Sequence, residues 1–465
     1  MNEEAISAKE LTAQLLYTVP HVLDAEPVVK EAAWAFCEEY RGFMNRAKTE
    51  REFVAQAVTM LQKAGYQAYQ PGTRYAPGQK VYWVNRQKAL LATTFGSRPL
   101  SEGVRITAAH IDSPRLDLKP NPLYEKEELA GLKTHYYGGI RKYQWTTIPL
   151  ALHGVFVRTS GEVVPVCIGE DADDPVFTIS DLLPHLSKKQ DSRTLADGVR
   201  AEELNILVGS LPYPDEDAKN RVKLYTMQLL HEKYGVTERD FLCAELTAVP
   251  AFPARDIGFD RSMIGAYGHD DRVCAYTALR AELGAQAPQY TTVLCLADKE
   301  EIGSQGNTGL NADYLLHYLT YLAEGQGADV KGVLAASKCL SADVSAALDP
   351  TFEDVFEKHN AARLNHGVVV MKYTGARGKS DASDASAETM AFVAGLLDAG
   401  GVVWQAGELG KVDVGGGGTV AKYVAQHNVD VVDIGVPLLS MHAPYEIAAK
   451  LDIYMCYRAF CVFAE

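Results

Sequence analysis

Positive charge is in short supply in this chain. Against 60 Asp and Glu stand 45 Lys and Arg, a formal net charge of −15 over 465 residues. Nucleic acid and anionic membranes both need a basic surface, so the balance argues against either partner. Long apolar runs are also missing: no uncharged stretch is long enough to span a bilayer. The N-terminal stretch MNEEAISAKELTAQLL has neither a basic n-region nor an apolar h-region, so no secretory signal is expected. Eight cysteines form no CxxC pair, and Cys167, Cys295 and Cys461 sit in apolar runs. Reduced thiols in a cytoplasmic protein fit that pattern better than a disulfide framework. There is no internal repeat and no low-complexity segment beyond Gly415–Gly418.

What is present is ordinary globular material, 47% hydrophobic and 23% charged, long enough for two or three domains. The first part reads as helical. In TEREFVAQAVTMLQKAG, Thr49 and Glu52 have capping-box spacing, an apolar stripe follows, and Gly65 is a stop. VRITAAH reads as a strand, ended by the prolines of IDSPRLDLKPNP. From about Leu116 to Pro250 short strands and polar turns dominate, as in WTTIPLALHGVFVRTSGEVVPVCIGE. Strand–helix alternation then returns. DRVCAYTALRAEL, SDASAETMAFVAGLLDAGG and TVAKYVAQHN read as helices; YTTVLCL, KGVLAAS, NHGVVVMKY and DVVDIGVPLL read as buried strands. The expected fold is α/β, a mixed, mostly parallel sheet covered by helices on both faces, formed by residues 1–115 and 251–465. Residues 116–250 form an inserted, mainly β domain.

Polar residues recur where the apolar strands end. ITAAHIDSP carries His110 and Asp112; YGHDDRVC carries Asp270 and Asp271 just before a helix; LADKEEIGSQG carries Glu300 and Glu301; LSADVS carries Asp343; SMHAPYE carries His442. In an open α/β sheet, ligands collect beyond the carboxyl ends of the strands. Each residue alone has an ordinary reading, an Asp before a helix as an N-cap and a His after a strand as a loop residue. Together, two imidazoles and three carboxylates suit a pair of divalent cations with one carboxylate shared, Zn²⁺ first, with Co²⁺ or Mn²⁺ able to use the same ligands. Adjacent glutamates then divide the work. Their side chains diverge at a strand end, so one binds metal while the other faces the activated water as general base. Asp112, two residues after His110, is placed to orient the metal-bound side chains.

The ordered set HIDSP, GHDDR, DKEEIGS, SADVS and SMHAPYE resembles the M18 family of metallo-aminopeptidases, and THYYGGI, MKYTGARGKSDASDA and GELGKVDVGGGGTVAKY resemble its bacterial members. The resemblance implies one ion on His110 and Asp343, another on Glu301 and His442, Asp270 bridging, and Glu300 as base. It also implies that the β-rich insert is a dimerisation domain, that dimers assemble into a tetrahedral dodecamer, and that a histidine of the insert reaches a neighbouring subunit's site. His185 in DLLPHLSKK matches that role best; His153 competes but sits in a strand-like run. The implied substrates are peptides with free N-termini. Lys372, Arg377 and Lys379 could read an acidic first residue unless Asp381 and Asp384 neutralise them, and broad neutral preference is equally compatible.

Several features are set aside. GARGKS lacks the glycine a phosphate loop needs, because Tyr373 stands there. The Gly415–Gly418 run lacks a dinucleotide-binding context and reads as backbone held close to something. His269 adjoins Asp270 but is not needed as a ligand, and His135, Tyr136 and Tyr137 read as packing or interface. Two rival functions are an N-acyl amino acid deacylase or carboxypeptidase, which needs a cationic anchor for a carboxylate, and a self-assembling scaffold without catalysis, which predicts decayed ligands.

Overall fold

The computed structural model describes residues 6–465. Its centre is a nine-stranded sheet. The strand order is Gln67–Ala68, Lys80–Asn85, Ala89–Thr94, Thr291–Ala297, Val104–His110, Lys338–Ala342, Asp430–Gly435, Val368–Met371, Trp404–Ala406. The four strands from Thr291–Ala297 to Asp430–Gly435 are mutually parallel. Antiparallel pairings enter toward both edges, so the sheet is mixed and mostly parallel, as expected. Strand Thr291–Ala297 shows why its sequence is apolar throughout. Leu294 and Leu296 enter the core beneath helices Val29–Met44, His269–Gly284 and Lys450–Ala464. Val293 and Cys295 enter the opposite core beneath Tyr314–Gln326 and Val330–Ala336. A strand buried on both faces has no place for a polar residue until it ends.

Helix Glu50–Lys63 starts at Thr49, whose hydroxyl accepts from the Glu52 N–H while the Glu52 carboxylate returns to Thr49 N–H. Two readings need correction. KGVLAAS is not a strand: helix Val330–Ala336 covers it, capped by Asp329, whose side chain accepts from Gly332 N–H. A short apolar run fits either structure, and the cap decides it; the strand follows at Lys338–Ala342. The prolines of IDSPRLDLKPNP end one strand only briefly. Strand Arg115–Lys126 begins at once and contains Pro120 and Pro122, which fall between Leu118 and Leu123 where the pairing register shifts. Proline is tolerated there because an irregular segment needs no ladder N–H.

The insert region holds a separate six-stranded antiparallel sheet. Its order is Val163–Ile168, Leu150–Val157, Ala244–Pro250, Arg115–Lys126, Leu129–Tyr137, Asn205–Gly209. Leu116, Trp145, Leu150, Ile206 and Val249 form its own core. A smaller sheet contains Arg255–Ile257, Met263–Ala266, Glu446–Ala449, Pro437–Leu439 and Ser345–Ala346, and it carries the loop with His442. Among the described residues no helix is long and apolar enough to cross a membrane, and all eight cysteines are free thiols.

Candidate metal centre

The carboxyl ends of three of the four parallel strands deliver four of the side chains that the sequence singled out, and the smaller sheet delivers the other two. His110 is the last residue of Val104–His110; Glu300 and Glu301 open a 3₁₀ turn three residues after Thr291–Ala297; Asp343 follows Lys338–Ala342. Asp270 arrives from the smaller sheet at the mouth of helix His269–Gly284. His442 lies between Pro437–Leu439 and Glu446–Ala449.

These residues meet. Asp270 uses both carboxylate oxygens, Oδ1 at 3.2 Å from His110 Nε2 and Oδ2 at 3.0 Å from His442 Nε2. Asp343 Oδ1 lies 3.8 Å and Glu300 Oε2 4.0 Å from His110 Nε2. Glu301 Oε1 is 3.5 Å from His442 Nε2. Three groupings of possible ligands result, His110–Asp270–Asp343, Asp270–Glu301–His442 and His110–Glu300–Glu301, and Asp270 is common to the first two. In each histidine the other ring nitrogen is held by a backbone carbonyl: His110 Nδ1 by Asp112 O at 3.1 Å, His442 Nδ1 by Gly139 O at 2.7 Å. That anchoring turns Nε2 of each ring toward Asp270 and fixes the tautomer a cation needs.

Asp112 does more than adjoin His110. Its carboxylate accepts the backbone N–H groups of Glu300 at 3.1 Å and Glu301 at 3.2 Å, and the Tyr137 hydroxyl at 2.8 Å. It thereby fixes the glutamate pair as a unit. The Arg115 guanidinium stacks 4.0 Å over the Tyr137 ring and pairs with Glu50. Tyr137 reads from the sequence as packing or interface; the structure puts its hydroxyl on Asp112. Glycines in THYYGGI, beside it, were the usable signal. A Cβ on Gly138 would stand 3.2 Å from Glu301 Oε2, and Gly139 must approach closely enough to accept from His442.

Five buried or half-buried carboxylates outnumber two imidazoles here. Burial, then the Asp343 and Asp112 charges against the opposing pull of His110, pushes Glu300 up to about 8. Burial and Asp270 hold Glu301 well above the usual carboxylate range, and burial raises Asp343. Burial also opposes charge on His442, yet its hydrogen bond to Asp270 and the charges of Glu301 and Asp270 raise it to about 11. Glu301 Oε1 is buried without a hydrogen-bond partner among the described residues. An excess of negative charge, an orphaned buried oxygen and imidazoles with one nitrogen anchored are the donor set of a cation site, and the residues fit divalent metal.

The centre opens into a cavity of about 260 Å³. Met371, Leu409 and Met441 line it, together with Gly415–Gly418, so the glycine run does hold backbone close to the site. A Cβ on Gly416 would lie 2.3 Å from Gly375 O, across the short pairing of Gly416–Gly417 with Gly375–Ala376. Lys372 and Lys379 both pair with Asp384, whereas Arg377 lines the cavity with no carboxylate partner among the described residues. The arginine that the carboxylate-anchoring rivals require is therefore present in the wall. His269 is buried with its two ring nitrogens on the Tyr40 hydroxyl and Ile264 O, so neither is left for a ligand role. His153 is buried between Glu52 and Glu170, at 2.7 and 3.0 Å. His185 is exposed on a 3₁₀ turn, Pro184–Leu186, and does not line the cavity.

Comparison with known proteins gives the family. Residues 43–464 match the family described as Aminopeptidase I zinc metalloprotease (M18). A probable M18 family aminopeptidase 1 from Clostridium acetobutylicum is 46% identical over 438 residues, 92% of this chain and 94% of that protein. The counterpart from Thermotoga maritima is 46% identical over 436 residues, 93% of this chain and 96% of that protein. A crystal structure of an M18 aminopeptidase from Thermotoga maritima superposes with a TM-score of 0.91 at 45% identity, over 97% of this chain and 99% of that one. The S. cerevisiae mApe1 dodecamer shares the fold, with a TM-score of 0.74 at 20% identity over 92% of this chain and 96% of that one. The chain belongs to the M18 family of zinc metallo-aminopeptidases.

Proposed function

We propose that hydrolysis of the N-terminal peptide bond runs on two divalent cations, one on His110 and Asp343, one on Glu301 and His442, with Asp270 between them. The reading is carried by Asp270, whose two oxygens face the two histidines at 3.2 and 3.0 Å. Such cations, Zn²⁺ foremost, supply a polarised scissile carbonyl and a water of lowered pKa. The chain does the rest. Glu300 has its backbone fixed by Asp112, its carboxylate faces the centre, and it has no metal to hold in this assignment. It takes the proton of the attacking water and passes it to the leaving amine. Asp112 keeps His110 and both glutamates in place throughout. The cavity admits a peptide end and not a folded surface.

Its wall suggests the side chains accepted: apolar ones along Met371, Leu409 and Met441, an acidic one at Arg377. Aminoacyl-nitroanilides with acidic and neutral residues, each free and N-acylated, test the reading. Turnover of the free forms alone is expected; faster cleavage of N-acylated ones would overturn it in favour of a deacylase. All six ligand and base positions are intact, which disfavours a scaffold without catalysis.

Residues 1–115 and 251–465 form the catalytic unit, and 116–250 the dimerisation domain of a homo-oligomer, with the dodecamer as its full form. The separate core of the inserted sheet supports the division. Exposed Leu182, Leu183 and Leu186 around His185 support a contact there. His185 would then serve a neighbouring subunit's site, and H185A should lower turnover while leaving the assembly's mass unchanged by light scattering. Unchanged turnover would remove His185 from the mechanism. The free thiols support a cytoplasmic location.

A further inference from the structure

Glu446 is almost fully buried, at the first position of strand Glu446–Ala449, and it does not line the cavity. Its two carboxylate oxygens do separate jobs. Oε2 accepts the backbone N–H of Asp270 at 3.0 Å, and Oε1 accepts the backbone N–H of His442 at 2.6 Å. The two residues it holds are 172 positions apart in sequence, and they are the pair whose side chains meet at 3.0 Å. The local backbone needs such a clasp. His442 has φ +65, a left-handed conformation disfavoured for a residue with a Cβ, and Ser440 in the same loop has φ +57. Strand pairing sets the geometry: Glu446 lies opposite Ala266, four residues before Asp270, so its side chain spans from one loop to the other.

We propose that Glu446 is a positioning residue for the metal centre. By gripping both backbones it fixes the separation of Asp270 from His442 and so sets cation affinity at the Asp270–Glu301–His442 set. The inference rests on the metal-centre reading above. The molecule contains its own control. Asp452, fully buried in helix Lys450–Ala464, clasps two backbone N–H groups in the same way, Asn365 at 2.7 Å and Gly367 at 2.8 Å, with none of the proposed ligands among its partners. If clasping merely stabilises the fold, the two acids should behave alike.

The test is Zn²⁺ affinity of the metal-stripped full chain, measured by competition with a chromogenic chelator, with thermal unfolding of the apo and Zn²⁺-loaded forms alongside. E446Q keeps the side chain's shape but turns an amide NH₂ toward one of the two N–H groups. It should weaken the tighter or the looser Zn²⁺ by about tenfold to a hundredfold and narrow the gap between loaded and apo Tm. D452N should lower both Tm values together and leave Zn²⁺ affinity within about twofold. Should E446Q not fold, E446D keeps both acceptors on a side chain too short to reach both loops, and the same loss is expected. Zn²⁺ affinity of either Glu446 variant within about twofold of the parent would overturn the proposal. D270N separates this from the underlying reading, because a D270N chain that still binds two Zn²⁺ with parental affinity overturns the metal centre itself.

Discussion

Two buried histidine clusters in this chain look alike in composition and differ in wiring. At the junction of helix Glu50–Lys63 with the inserted sheet, His153 has carboxylates on both ring nitrogens, Glu52 on Nδ1 and Glu170 on Nε2. Lys48 closes the circuit at 2.6 Å from Glu170. With Cys167 near by, this set has the donors of a metal site, yet its charges already balance and no imidazole nitrogen is left over. At the centre, His110 and His442 each spend one nitrogen on a backbone carbonyl and keep the other for a shared carboxylate. Too many carboxylates remain for two imidazoles to neutralise. The difference teaches that residue type does not distinguish a structural histidine from a ligand; what occupies the second nitrogen, and whether the charge closes without a cation, does.

The comparison can be broken most forcefully at Glu300. E300Q removes the proton acceptor but leaves the five proposed ligands in place. Turnover should fall by about 10²–10⁴-fold, with metal content by atomic absorption unchanged. Near-parental turnover would move the base elsewhere. At the other cluster, H153Q should leave turnover of the folded enzyme nearly unchanged and cost stability, by about 3 kcal/mol near pH 6, because two buried carboxylates lose their partner. The sign with pH follows from His153 itself. Burial opposes its charge, but the hydrogen bonds its ring makes to Cys167, Glu170 and Glu52, with the charge of Glu52, lift it from 6.5 to about 11 in the fold. A raised pKa stabilises fully below the unfolded value and is lost as pH rises through the folded one. The stability difference between parent and H153Q, read from urea midpoints, should therefore shrink steadily between pH 6.5 and 10. A difference independent of pH would mean that His153 is neutral in the fold and the cluster is not closed by charge.

How much of this was legible beforehand follows the physics of each element. The parallel strands announced themselves because burial on both faces forces continuous apolar runs, and the polar residues that terminate them had nowhere else to stand. His110, Glu300, Glu301 and Asp343 were found for that reason; Asp270 and His442 stand after strands of the smaller sheet, where the same ending of an apolar run marked them, and the structure gathers all six. KGVLAAS was misread because six small or apolar residues after Lys331 satisfy a strand or a helix, and the Asp329 cap outweighed the pattern. Pro120 and Pro122 misled because the register shift that accommodates them is a property of the pairing, invisible in one strand. Tyr137, Gly139 and Glu446 were missed for a third reason. Each acts through a partner outside its own element, Tyr137 through Asp112 across 25 positions, Glu446 through Asp270 across 176 and Gly139 through His442 across 303; the paired glycines after Tyr137 hint at a close approach but do not name the partner.

Tyr137 is where the two regions touch, since it ends strand Leu129–Tyr137 of the inserted sheet while its hydroxyl reaches Asp112 at the centre. Losing that hydroxyl should have the smallest effect of the three, because Asp112 retains two backbone N–H donors and the His110 ring. Y137F should cost about 1 kcal/mol of stability, the net worth of one hydrogen bond. The informative readout is kinetic. If Asp112 needs this third donor to hold the Glu300 turn rigid, kcat should fall severalfold while KM stays constant, since the base moves and the substrate wall does not. A loss confined to stability, with kcat intact, would separate the inserted sheet from the chemistry and leave Asp112 held by the central sheet alone.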